Sequence, residues 1–138
     1  MKRWRFGRGS IRSVQPTLHL SLPVRDTKEA QTFYVEILGC ELGRVRETWL
    51  DVWFYGMQLT LQERPEEVLP EDEQGVRHFG VTLDRSVFDA LVARLEQHSV
   101  SWFQRVSTDT TGALDGKTSA KILDPSGNVI ELKTYPDP

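Results

Sequence analysis

The chain carries the same alternation of apolar and polar residues twice. Residues 18–24 (LHLSLPV) and 77–84 (RHFGVTLD) each have a histidine in second place, and apolar residues then alternate with small or polar ones. A two-residue period of this kind is typical of a β-strand with one buried face. His19 and His78 both occupy the polar positions of this alternation. The pattern therefore predicts two strands that present a histidine from the same kind of face.

Each of these strands is followed by a helical pattern and then by three strand-like runs. In the first half, Asp26 and Glu29 have the spacing of a capping box, and apolar residues at helical spacing continue to Gly39. In the second half, Ser86 is the predicted N-cap, and apolar residues recur at i, i+3, i+4 and i+7 from Phe88. The order βαβββ is thus predicted twice.

The repeat divides the chain into two modules with an acidic joint between them. We predict a basic N-terminal tail over residues 1–16, module one over 17–64, an acidic linker over 65–76 and module two over 77–138. Neither module has enough sheet to bury its helix and both sheet faces alone. We therefore expect residues 17–138 to form a single structural domain.

Composition narrows the functional classes. The chain has 138 residues and a net charge of −3, which gives no general attraction to nucleic acid. It has no apolar run of 18 residues that would span a membrane, and its basic start lacks the apolar core of a secretory signal. The single Cys40 cannot form an internal disulfide and is interpreted as a small, partly buried residue. We predict a cytoplasmic protein.

A charged residue stands out in the last predicted strand, where Glu131 lies between Ile130 and Leu132. A buried carboxylate without a partner is costly. Glu131 is therefore exposed at a rim, paired with Lys121 or Lys133, or bound to a cation.

Module one has an amide at the corresponding place in its own last strand. Gln58 follows the turn glycine Gly56 by two residues, and we interpret it as the counterpart of Glu131. If Tyr55 and Gly56 form a two-residue hairpin loop, Trp53 lies opposite Gln58 on the same face. The residues that we predict to line a substrate pocket on the helix-free faces are Trp53, Ser21, Thr60 and Lys121.

Several segments together resemble the vicinal oxygen chelate superfamily, which includes glyoxalase I, extradiol dioxygenases, fosfomycin-resistance thiol transferases and bleomycin-binding proteins. The segments are HLSLPV, DTKEAQTFYVEILG, HFGVTL and DPSGNVIEL. The resemblance implies an α+β fold in which the two βαβββ modules form an incomplete mixed-sheet barrel around a divalent metal, with the helices outside. It also implies a ligand set, namely His19, His78 and Glu131, with Gln58 at the fourth ligand position.

Two imidazoles and one carboxylate leave coordination positions open for a substrate with vicinal oxygens, as in non-haem iron oxygenases. We favour an extradiol-dioxygenase-like enzyme that uses Fe(II). One alternative is a glyoxalase-type lyase or fosfomycin-type thiol transferase with Ni, Zn or Mn, in which Gln58 binds the metal and Glu131 acts as the base. The other alternative is a metal-free, bleomycin-resistance-like binding protein.

The partners expected from these patterns are a small-molecule substrate and a second copy of the chain. An incomplete barrel leaves sheet edges and apolar surface exposed, which favours a homodimer. The two modules pair either within one chain or across the dimer, and the sequence leaves both arrangements open.

Overall fold

The computed structural model of the protein describes residues 16–114 and 116–136, so nearly all of the predicted tail lies outside the described residues. The elements of module one are β1 (His19–Val24), α1 (Thr27–Gln31), a π-helical segment (Thr32–Ile37), β2 (Glu41–Val45), β3 (Trp49–Phe54) and β4 (Met57–Glu63). The elements of module two are β5 (Phe79–Thr82), α2 (Arg85–Glu96), β6 (Ser101–Thr108), β7 (Thr118–Leu123) and β8 (Val129–Thr134). The prediction of two βαβββ modules is confirmed.

Each module builds a four-stranded mixed sheet. The strand orders are β1-β4-β3-β2 and β5-β8-β7-β6, so the first strand of each module pairs in parallel with its last. Among the described residues the two sheets share no strand pairing, and they do not close into a barrel. The strands β1 and β5 are therefore both edges.

The helical segment of module one begins where the capping pattern predicts and continues from an α-helix into a π-helical segment. The Asp26 carboxylate accepts hydrogen bonds from the amides of Lys28 (2.8 Å) and Glu29 (3.0 Å), which satisfies two donors of the first turn. The Glu29 carboxylate binds the Arg25 guanidinium instead of closing a capping box. After the π-helical segment, Gly39 takes a φ of 81°, which lets the chain reverse into β2.

The second helix starts earlier than its sequence indicates. Its N-cap is Asp84, in extended conformation and without a side-chain capping bond, so the prediction of Ser86 as the N-cap is wrong. Phe88, Leu91 and Leu95 form its buried face, as their helical spacing predicts.

One hydrophobic core includes residues of both modules, and polar contacts also join the modules. The Tyr34 hydroxyl of the π-helical segment donates to Asp124 Oδ2 (2.8 Å), in the turn between β7 and β8. Arg94 of α2 donates to the carbonyls of Glu36 and Ile37, near the end of the π-helical segment. Each contact pairs a group that burial or a helix end would otherwise leave unsatisfied.

The linker between the modules contains two short 3₁₀ turns (Pro65–Glu67 and Glu71–Glu73). Its acidic residues are exposed, whereas Gln74 is buried and donates to the Leu69 carbonyl. In the part of the chain that the structure describes, no helix has the length and apolar character that crossing a membrane requires.

Candidate metal site

The first histidine of the repeat is oriented by the strand beside it. In the parallel pairing of β1 with β4, His19 is the register partner of Gln58, and its Nδ1 lies 3.1 Å from the Gln58 backbone carbonyl. A carbonyl oxygen can only accept, so Nδ1 carries the proton in this contact. The lone pair of Nε2 then remains available on an exposed ring.

The second histidine makes the same kind of contact in module two. His78 directly precedes β5, and its Nδ1 lies 2.7 Å from the Val76 carbonyl. The same reasoning assigns the proton to Nδ1 and leaves Nε2 free on an exposed ring. Histidines that bind metals usually donate their other ring N–H to a carbonyl or carboxylate, which fixes the tautomer. Both histidines therefore have the tautomer that metal coordination through Nε2 requires.

The carboxylate of module two lies next to the strand that His78 begins. Glu131 on β8 is the register partner of Gly80 on β5 and of Lys121 on β7. Its side chain is 14% exposed, and its Oε1 lies 3.7 Å from the Nζ atom of Lys133. Of the alternatives that the sequence left open for this carboxylate, the structure thus favours a pairing with Lys133.

Gly80 allows β5 and β8 to approach each other at this point. A Cβ atom on Gly80 would collide with the backbone carbonyl oxygen of Glu131. A glycine is therefore needed here for close backbone approach, which keeps the His78 end of β5 beside Glu131.

The strand register changes the comparison between the two modules. Ser21 lies two residues after His19 and pairs with Thr60, whereas Gly80 lies two residues after His78 and pairs with Glu131. By this register, the module-one position equivalent to Glu131 is Thr60, and the interpretation of Gln58 as the counterpart is wrong by two residues. Gln58 instead lies beside His19. That Gln58 binds the metal stays a prediction, as does the place of Thr60 in a substrate pocket.

The predicted hairpin loop of module one is confirmed. Tyr55 and Gly56 have positive φ values of 47° and 88°, and Phe54 pairs with Met57 across the loop. Such a loop matches the twist of the flanking strands. As a result Trp53 is the register partner of Gln58 and lies half-buried on the open face of the sheet.

Sequence reasoning missed one polar residue of this face. Asp51 on β3 is 1% exposed and is the register partner of Thr60. Its carboxylate accepts from Thr60 Oγ1 (2.7 Å), from Arg44 Nε (2.7 Å) and, over a longer distance, from Gln58 Nε2 (3.4 Å). The available signal was a carboxylate on the polar parity of an otherwise apolar strand, WLDVWF.

The predicted ligands are divided between the two sheets. His19 lies on the first sheet, and His78 and Glu131 lie at the second. Within residues 16–114 and 116–136 of one chain, no three His, Cys, Asp or Glu side chains are grouped closely enough to hold a metal ion. The donor types nevertheless suit a divalent transition metal, because neutral imidazole nitrogens and a carboxylate oxygen are its usual ligands.

A cavity of about 380 Å³ lies between the modules, next to His78. Most of its wall is apolar and comes from β1, β5, the linker and the start of β8. The apolar residues that line it are Leu20, Leu22, Pro23, Leu69, Phe79 and Val129.

Comparison with known proteins identifies the family. Residues 17–132 match the model of the glyoxalase/bleomycin resistance protein/dioxygenase superfamily. The chain belongs to this superfamily. The match spans both modules of the superfamily fold and confirms the resemblance that the sequence motifs indicate.

Individual members of the superfamily are also similar to the chain. Glutathione transferase FosA of Serratia marcescens is 31% identical over 121 residues, which are 86% of this chain and 80% of the relative. The crystal structure of a glyoxalase/bleomycin resistance protein/dioxygenase from Alicyclobacillus acidocaldarius superposes with a TM-score of 0.80 at 32% identity, covering 88% of this chain and 92% of the other.

A fosfomycin resistance protein, FosX from Listeria monocytogenes, superposes with a TM-score of 0.72. The alignment covers 89% of this chain and 95% of the other at 15% identity. At this identity the likeness concerns the superfamily fold alone.

Proposed function

We propose that the protein is a metal-dependent enzyme that acts on a small substrate with two neighbouring oxygen atoms, of the Fe(II) ring-cleaving dioxygenase type. The observation that carries this proposal is the tautomer that the two histidines share. His19 and His78 each donate from Nδ1 to a backbone carbonyl, and no hydrogen bond from a described residue occupies Nε2 of either ring. With Glu131 they make two imidazoles and one carboxylate, the set that is characteristic of non-haem iron oxygenases.

The complete set requires two copies of the chain in this proposal. His19 comes from one copy, and His78 and Glu131 come from the other. Support comes from the sheet edges, because β1 and β5 are both edge strands that a second copy can approach. A two-fold homodimer would bring β1 of each copy beside β5 of the other and form two equivalent sites.

A metal at this site would act as a Lewis acid on the two neighbouring oxygens of the substrate. The histidine nitrogens and the Glu131 carboxylate would hold it. Glu131 bound to a cation would no longer pair with Lys133, and Lys121 lies directly across from Glu131 in the register. These two ammonium groups would then bind and orient an anionic oxygen of the substrate, while Trp53 provides an aromatic wall.

A second candidate function is thiol transfer to fosfomycin. It is favoured by the 31% identity to glutathione transferase FosA, over most of both chains. The two lysines beside Glu131 suit the phosphonate of fosfomycin as well as they suit a catecholate. Turnover of fosfomycin with glutathione, and no oxygen consumption with catechols, would select this candidate over the dioxygenase.

The experiment that tests the metal site is subunit complementation. His19→Ala and His78→Ala are prepared with different affinity tags that bind no metal, and the metal content of each homodimer and of the isolated mixed dimer is measured by elemental mass spectrometry. Each homodimer should lose its metal. The mixed dimer keeps one of its two sites intact and should recover about half of the wild-type metal content. His98→Ala, which removes the exposed third histidine at the end of α2, is the matched control and should keep the wild-type content.

The possible results separate the alternatives. No recovery in the mixed dimer, with a metal-containing wild type, would contradict sharing between copies. No metal in the wild type, even after anaerobic loading with iron, would contradict the enzyme and favour a metal-free binding protein. Iron together with oxygen consumption on a catechol would support the dioxygenase.

A further inference from the structure

Asp51 lies on the open face of module one and is shielded from solvent. Arg44 covers it from β2 through a 2.7 Å contact and also stacks on Trp49, with its guanidinium carbon 5.0 Å from the ring centre. Gly43 lies directly over Asp51, and a Cβ atom there would come within 2.9 Å of the Asp51 Cβ. A carboxylate held this closely has few rotamers available, so the direction of its oxygens is fixed.

The hydrogen bonds to Asp51 determine which polar atoms its neighbours can offer to other groups. A carboxylate only accepts, so the 2.7 Å contact with Thr60 requires the Thr60 hydroxyl to give its proton to Asp51. The hydroxyl oxygen then has only lone pairs to offer to any other group. The amide of Gln58 turns its nitrogen to the same carboxylate, which directs its carbonyl oxygen elsewhere.

The strand register shows which residue of module two corresponds to Thr60. Thr60 stands at the position that Glu131 occupies in module two. In module two that position carries a charged acceptor, and in module one it carries a neutral hydroxyl backed by a buried carboxylate. Both positions lie two residues along the strands from a histidine with a free Nε2.

We propose that Asp51 is a positioning residue that makes Thr60 a hydrogen-bond acceptor for a hydroxyl group of the substrate. This inference rests on the proposed function, which brings module one of one copy against module two of the other. It narrows the substrate class to compounds in which one of the two neighbouring oxygens carries a proton, such as a catechol bound as its monoanion.

The orientation of the Thr60 hydroxyl can be tested without metal or substrate. A hydroxyl proton in a short bond to a shielded carboxylate should exchange slowly and give a downfield proton resonance in the full-length protein. The resonance should be present in the wild type and absent from Thr60→Val, which assigns it, and from Asp51→Asn. A wild type without this resonance would overturn the inference.

The binding role can be tested with 4-nitrocatechol, titrated optically under argon into the metal-loaded protein. We expect Thr60→Val and Asp51→Asn each to weaken binding roughly fivefold to tenfold, the value of one hydrogen bond, and the double variant to lose no more than either single one. Thr60→Ser keeps the hydroxyl and should bind within about twofold of the wild type. If Asp51→Asn fails to fold, the contrast between Thr60→Val and Thr60→Ser decides the acceptor role.

The results separate this inference from the function on which it rests. Losses that multiply in the double variant, in a wild type that binds both metal and probe, would overturn the role of Asp51 and leave the proposed function standing. A wild type that binds neither would overturn the proposed function, and with it the assignment of a substrate group to Thr60.

Discussion

The open faces of the two sheets share a scaffold and differ in charge. Both begin with a histidine whose Nδ1 is bound to a carbonyl, and both pair their first strand in parallel with their last. On the second face the acidic group Glu131 is partly exposed, with Lys133 nearby. On the first face the acidic group Asp51 is buried and already has Arg44 as its partner.

This difference indicates that the two modules share the strand scaffold that positions an acidic side chain, but differ in how exposed that side chain is and in what it binds. A carboxylate that is still partly exposed and lies 3.7 Å from a lysine can exchange that lysine for a cation at a lower cost, because such long ion pairs are weak. A carboxylate that is shielded and held by several donors cannot change partners as easily. The second face is therefore suited to bind a cation, and the first is suited to orient neutral groups.

The largest expected effect comes from removing the negative charge of the second face. Glu131→Gln should lower metal affinity by about 100-fold or more, because a neutral amide replaces the anionic ligand. Wild-type protein in metal at 100 times its dissociation constant should gain about 2.7 kcal/mol of stability, and the variant should gain almost none. Thermal unfolding with and without metal measures this difference.

Asp89→Asn is the matched control, because it removes an exposed carboxylate of α2. It should keep the stabilisation by metal. An equal loss in both variants would mean that the metal binds to general negative charge and not to the second face.

The second prediction concerns the two positions that follow the histidines by two residues. Gly80→Ala should destabilise the protein by about 1–3 kcal/mol, because the added methyl group collides with the Glu131 backbone. Ser21→Ala, at the equivalent exposed position of module one, should change stability by less than about 0.5 kcal/mol. Urea unfolding of both variants provides the comparison, and similar costs at the two positions would contradict it.

The hydrogen bond from Tyr34 to Asp124, which joins the modules, should contribute to stability in a way that depends on pH. Burial raises the pKa of Asp124 above 3.8, and the Tyr34 hydroxyl is one of the donors that lower it. Because the native pKa is raised, the contribution of Asp124 to stability is fully present below 3.8 and declines as the pH rises through the native value.

Tyr34→Phe removes one donor and raises the native pKa of Asp124 further. It should therefore cost more stability at pH 7 than at pH 4, because the lost hydrogen bond favours the ionised form of Asp124. The expected cost at pH 7 is roughly 1–2 kcal/mol. Urea unfolding of wild type and variant at both pH values measures it, and a cost independent of pH would mean that the hydroxyl does not interact with the ionised form.

The smallest expected effect concerns the reactivity of the single thiol. Burial raises the pKa of Cys40 to about 12, so very little thiolate is present at pH 8. The native protein should react with a disulfide reagent many times more slowly than the unfolded chain. Ser101→Cys, at an exposed position at the start of β6, should react at the rate of a free thiol. Fast labelling of native wild type would show that Cys40 is accessible.

Local patterns in the sequence were enough to predict the elements and the short-range pairing. The position of Trp53 opposite Gln58 follows from the two-residue loop between them, because a short loop fixes the register of an antiparallel pair. The buried face of α2 follows from helical spacing in the same way. The N-cap of α2 was misplaced by two residues because Ser86 and Asp84 are both good capping residues, and the local pattern does not choose between them.

Long-range register was not available from local patterns. The pairing of β1 with β4 joins residues 39 positions apart, as for His19 and Gln58, and no turn fixes their alignment. The equivalence of Thr60 with Glu131 and the contact of Asp51 with Thr60 both depend on that alignment. Whether the two modules pair within one chain or across a dimer was likewise left open, because the sequence pattern carries no information on which edges meet.

The contact of Tyr34 with Asp124 and the core shared by both modules have a consequence for how the chain can be divided. A fragment with only one βαβββ unit would expose the apolar surface that its neighbour now covers, and would leave a tyrosine hydroxyl or an aspartate without its partner. Such fragments should aggregate, and amide hydrogens in both halves should exchange through the same global opening. Although the repeat is written twice in the sequence, the chain should unfold as one cooperative unit.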